Sequence, residues 1–144
     1  MGLRHAGREL ALQALYQIEI RGEVSNEDLA LFFESFAGER ANPFALHLVD
    51  GAWRERTLID RLLAESLENW SIGRLLLVDH IILRIAVFEL LRMQDIPTRV
   101  TIDEAIELAK TYGDQNSSRF VNGVLDQVAA RLNLKAKGEE HAQN

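Results

Sequence analysis

The sequence predicts an all-α protein, built as two small helical bundles that share a central helix. Three observations predict it. Apolar residues recur at helical spacing through most of the chain, and no segment reads convincingly as a strand. One run, Val78 to Met93, is apolar on nearly every side, as a central buried helix must be. At 144 residues and 47% hydrophobic content, the chain can bury one sizeable core. Residues 1–133 read as one domain, and 134–144 as a polar, disordered C-terminal tail without periodicity.

Taken in order, the first helical pattern begins near Arg8, with Leu10, Ala11, Ala14, Leu15 and Ile18 on one side, and stops at Arg21-Gly22. Ser25 is the expected N-cap of a second helix, with Glu27 and Asp28 in its first turn and Leu29, Phe32, Phe33 and Phe36 as its apolar residues; Gly38 ends it. Asn42-Pro43 pairs a cap with proline at the first helical position. From Phe44 to about Glu68 the pattern predicts the longest helix, with Gly51 marking a close helix crossing rather than a break. Asn69-Trp70-Ser71 punctuates, and Ser71 to Leu76 reads as one short helical turn. Within the central run, Ile81–Ile85 alone would suit a buried strand, but the whole run is too long for one.

After Pro97 comes a helical hairpin. Thr101 with Glu104 three residues on has the form of a capping box, and Ile102, Ala105, Ile106 and Ala109 form the apolar face. Gly113 stands where a left-handed C-cap is wanted. The last helix opens at Asn116 or Ser117 and is expected to bury Val121, Val124, Leu125, Val128 and Leu132. Mid-helix Gly123 costs about 1 kcal/mol relative to alanine. Close approach of a neighbouring helix would explain it, with Asn122 bonding that neighbour's backbone.

Composition excludes several functions. There are 22 acidic and 16 basic residues, a formal net charge of −6, which argues against a broad basic face for nucleic acid but leaves room for a local patch. The absence of cysteine removes disulfides, thiolate metal sites and cysteine nucleophiles. Phosphate-loop, GxGxxG, GxSxG and HExxH motifs are missing, and the four histidines stand in four different elements, so neither an enzyme nor a metal cofactor is expected. With no apolar run of about 18–20 residues and no cleavage pattern at the N-terminus, a cytoplasmic protein without membrane contact is the expectation.

Two places retain chemistry. Arg4, His5 and Arg8 sit at or just before a helix start, where phosphate is favoured; by composition alone, two arginines near a terminus more simply keep that end soluble. Tyr16 could stack on bases, and Phe120 beside Arg119 could either cap the core or present its ring near the interhelical loop; packing is the simpler role for each.

Longer motifs narrow the choice. Gly7-Arg8-Glu9-Leu10-Ala11-Leu12-Gln13-Ala14-Leu15-Tyr16 resembles the opening helix of the bacterial NusB family of transcription antitermination factors. Val78 to Leu90 is similar to its central helix, and Ile102 to Lys110 followed by Arg119-Phe120-Val121-Asn122-Gly123-Val124-Leu125-Asp126 is similar to its signature hairpin. The resemblance runs over roughly residues 7–132. It implies the NusB-like fold and a non-enzymatic role: binding boxA RNA together with the ribosomal protein NusE, and joining the RNA polymerase antitermination complex, notably on ribosomal RNA operons. A homodimer is a further expectation from the family. The resemblance places RNA on Arg4, His5, Arg8 and Tyr16 and on the loop residues Asn116, Ser117, Arg119 and Phe120, and it places the protein partner on Tyr16, Asp79 and Arg84. The family arm is often richer in arginine than this one, which suits a helical protein-binding adaptor without RNA affinity of its own as the alternative.

Overall fold

The computed structural model describes residues 2–22, 42–67 and 71–133. Among them are six helices: α1 (Leu3–Arg21), α2 (Pro43–Arg54), α3 (Arg56–Ser66), α4 (Leu77–Arg92), α5 (Thr98–Tyr112) and α6 (Ser117–Arg131). A 3₁₀ turn covers Ile72–Arg74, and no strand occurs among the described residues. The expected helix from Ser25 to Gly38, Trp70 and the tail from residue 134 lie outside them.

The all-round apolar run behaves as its composition requires. Ile81, Ile82, Leu83, Ile85, Ala86, Val87, Phe88 and Leu90 of α4 are all buried. Full burial of one such large side chain contributes about 1.5–3 kcal/mol. The helix packs against α1 and α2 on one side and α5 and α6 on the other. Those outer helices pair with each other, α1 with α2 and α5 with α6, and each turns a single apolar stripe inward. The α1 stripe is Leu10, Ala11, Ala14, Leu15 and Ile18, as the periodicity predicts.

Asn42 caps α2 as expected: its Oδ1 accepts from the Ala45 N–H at 3.1 Å, and its Nδ2 donates to the Leu3 carbonyl at 2.9 Å, tying α2 to the start of α1. Gly51 marks a close crossing, because a Cβ there would fall inside the Phe88 ring of α4. The long helix expected from Phe44 to Glu68 is nevertheless broken, at Glu55 (φ −99°, ψ 14°). Side chains hold the break. Glu55 accepts from Arg92 Nε at 2.9 Å, while Arg56 donates back to the Trp53 carbonyl at 2.7 Å and lies 3.9 Å over the Trp53 ring.

Three further expectations in the hairpin are corrected. Pro97, with its fixed φ, precedes a helix that starts at Thr98, so Thr101 lies inside α5 and its hydroxyl donates to Glu89 instead of capping. Gly113 has φ −89° and is not left-handed; a Cβ there would overlap the Ser117 side chain, which is sufficient reason for glycine. Among the described residues no helix approaches Gly123, where a Cβ would meet nothing within 4 Å, and Asn122 Oδ1 finds no hydrogen-bond partner.

Candidate nucleic-acid and partner interface

Two polar networks take up two of the arginines expected at the surface, Arg8 and Arg84. In the first, Arg8 lies 3% exposed beneath α1 and grips Glu89 of α4 with two parallel bonds, Nε to Oε2 and Nη2 to Oε1, both 2.8 Å. Thr101 Oγ1 donates to Glu89 Oε1 at 2.9 Å, and Arg8 Nη1 donates to Glu104 at 3.2 Å. The Arg8 guanidinium also stands 5.2 Å from the Phe44 ring centre. Burial works against its charge, but the bonds and charges of Glu89 and Glu104 outweigh that and raise its pKa. His5 Nδ1 lies 3.2 Å from Glu104 at the rim.

The second network joins α1, α3 and α4. Arg84 donates to both Asp60 oxygens, at 2.9 and 2.7 Å, and to Glu19 at 2.6 Å, while His80 Nε2 lies 2.8 Å from Asp60. Burial alone would raise the Asp60 carboxyl; hydrogen bonds from Arg84 and His80 prevail and hold it down to about 2. Arg8 and Arg84, expected respectively as an RNA contact and a partner contact, are thereby corrected to internal residues. A ligand would have to displace a carboxylate already bonded to either arginine.

Of the N-terminal cluster only Arg4 stays exposed, donating to Asp95 at 3.1 Å with its guanidinium 5.5 Å from the Phe44 ring. At the other end of α5 stands the polar link. Ser117 is 1% exposed and corrected from RNA contact to anchor: its hydroxyl accepts from the Asp114 N–H at 2.9 Å and donates to Asp114 Oδ1 at 3.2 Å. That clasp leaves Asn116 and Arg119 facing solvent on the first turn of α6. The two exposed arginines thus flank the 15-residue α5, whose length is roughly 22 Å.

Beside the C-terminal end of α5 lies a cleft of about 280 Å³ lined by Leu12, Gln13, Tyr16, Gln17, Val78 and Tyr112. Tyr16 is 38% exposed there, and Tyr112 donates its hydroxyl to Glu9 at 2.8 Å, which with burial and the Glu9 charge raises its pKa. A second hollow, about 320 Å³, brings together Asp79, Asn116 and Phe120 with Arg74, Leu75, Leu76 and Asp114. The last four escaped sequence reasoning, although the short turn at 71–76 pointed to their segment. Nothing in the local pattern shows that turn folding against the hairpin.

Asp79 is buried, and its Oδ1 finds no hydrogen-bond partner among the described residues. Burial raises its pKa and the Asp114 charge adds to this, against the Ser117 hydroxyl, which favours the ionised form. A folded-state value above the ordinary 3.8 means that the native state holds this proton more tightly, so stability falls as pH rises through that raised value. Asp79→Asn is therefore expected to raise the melting temperature at pH 7, with the gain vanishing at about pH 3, where both states are protonated. Thermal melts across that range check it; no gain at neutral pH would refute the assignment.

Among the described residues, no group of three His, Cys, Asp or Glu side chains is placed to hold a metal, and no helix is long and apolar enough to cross a membrane. The model of the NusB family matches residues 5–130. The transcription antitermination protein NusB of Syntrophus aciditrophicus is 43% identical over 99% of this chain and 89% of its own length; that of Bacillus cereus is 44% identical over 90% and 98%. The solved T. maritima NusB superposes with a TM-score of 0.83 at 41% identity, covering 94% of this chain and 96% of its own. Antitermination factor NusB, solved with NusE and dsRNA, superposes at 0.77 and 31% identity over 91% and 98%.

Proposed function

Because this chain belongs to the NusB family, we propose that it is a transcription antitermination factor that binds boxA RNA together with NusE and joins the RNA polymerase antitermination complex, especially on ribosomal RNA operons. The observation that carries this reading is its likeness, over nearly its whole length, to a NusB solved with NusE and RNA. The geometry adds a route. Arg4 at one end of α5 and Asn116, Arg119 and the Phe120 hollow at the other are the accessible parts of the expected RNA set, together with Tyr16 in its cleft. Phosphate contacts from the arginines position a strand, and unstacked bases find the aromatic groups. NusE packs alongside, against the exposed apolar residues Tyr16, Ile20 and Leu76, the last of which lines the same hollow as Asp79. The role is non-catalytic and cytoplasmic, and a homodimer covering that same apolar surface competes with NusE.

One observation favours the adaptor reading: of the N-terminal cations only Arg4 is exposed, and it is already paired with Asp95. Titration of boxA RNA, with and without NusE, onto wild-type, Arg4→Ala and Arg119→Ala proteins separates the two. On the RNA reading, each variant binds more weakly and lowers the slope of log affinity against log salt by about 1. Wild-type affinity in both variants sinks the surface assignment, and NusE binding without any RNA binding selects the adaptor.

A further inference from the structure

Gly123 sits in the middle of α6 with nothing among the described residues that requires it. Its φ is not positive, and a Cβ there would meet no atom of the described residues within 4 Å, so neither backbone conformation nor packing among them excludes a side chain. A glycine at such a position still weakens the helix relative to alanine. The need for a bare backbone must then come from something that lies against the helix.

Position and chemistry say what lies there. Asn116, Arg119, Gly123, Gln127 and Ala130 follow one another at spacings of three and four, so they share one face of α6, and all five are exposed. The face is continuous with the Asn116–Arg119 edge assigned above to RNA. It carries a cation one turn before the glycine and no aromatic or large aliphatic anchor of the kind that dominates protein interfaces. We propose that the sugar–phosphate backbone of single-stranded RNA runs along this face, with Gly123 as its point of closest approach; the proposal rests on the RNA-binding reading. Arg119 holds a phosphate, and the absent side chain lets the next ribose lie on the helix. Gln127 offers a donor and an acceptor one turn further on. Asp126, two turns below Arg119 at the margin of the face, bounds the strand on that side by repulsion.

The test separates stability from binding. Gly123→Ala and Gly123→Gln, loaded with NusE, are titrated with boxA RNA and melted in parallel. Alanine is expected to raise the melting temperature by about 2–4 °C while weakening RNA binding. Glutamine is expected to cost about tenfold or more in affinity without loss of fold. Unchanged RNA affinity of Gly123→Gln, where the wild type binds, overturns this proposal and leaves the RNA reading intact. Failure of the NusE-loaded wild type to bind overturns both. Weakened NusE binding with RNA affinity of the saturated complex unchanged assigns the face to protein and also overturns it.

Discussion

Replacing Arg8 with alanine is expected to destabilise the fold by about 3–5 kcal/mol, because it strands the Glu89 carboxylate, 1% exposed, without its cation. For a chain of this size the melting temperature should fall by about 10 °C or more. The cost comes from the unpaired charge rather than from any net gain of the pair, so Arg8→Met combined with Glu89→Leu should recover most of it. The opposite pattern, an unchanged melting temperature with lost RNA affinity, would return Arg8 to the ligand surface. Differential scanning calorimetry on the single and double variants decides.

Arg84→Ala should be nearly as severe, about 3 kcal/mol, since Asp60 and Glu19 both lose their cation. Its signature is in acid. A carboxyl held at about 2 against an ordinary 3.8 supplies about 2 kcal/mol at neutral pH; that stability is complete above 3.8 and is lost as pH falls towards 2. In the variant this acid limb should flatten. Urea unfolding at several pH values between neutral and 2 would show it, and an acid limb as steep as the wild type's would assign the loss to other carboxylates.

These two arginines also show where sequence reasoning stops. Periodicity located α1, α4, α5 and α6 because each presents its apolar stripe within a single helix. It could not show that Glu89 waits beneath Arg8, or Asp60 beside Arg84, since those partners stand 81 and 24 residues away. The same limit misplaced the cap. Thr101 and Glu104 have the types and spacing of a capping box, yet tertiary partners take both side chains: Thr101 bonds Glu89, and Glu104 meets Arg8 and His5. The break at Glu55 depends on Arg92, again far along the chain. In the candidate site, the exposed residues Arg4, Asn116 and Arg119 were legible from the family motif. The Arg74–Leu76 wall was not, because only the folded chain brings it to Phe120.

The Arg8–Glu89 clasp has a consequence for how the chain is made. It closes a loop of 81 residues, so α1, which leaves the ribosome before α4, lacks the Glu89 partner of its buried cation until α4 follows. At about 5–20 residues per second, that wait is on the order of 4–16 s. Through that interval the stripe from Leu10 to Ile18 also lacks α4, against which it will pack. That helix is thus synthesised well before the helix that locks it. The nascent chain is most open to capture by chaperones, or by another copy of itself, over that stretch.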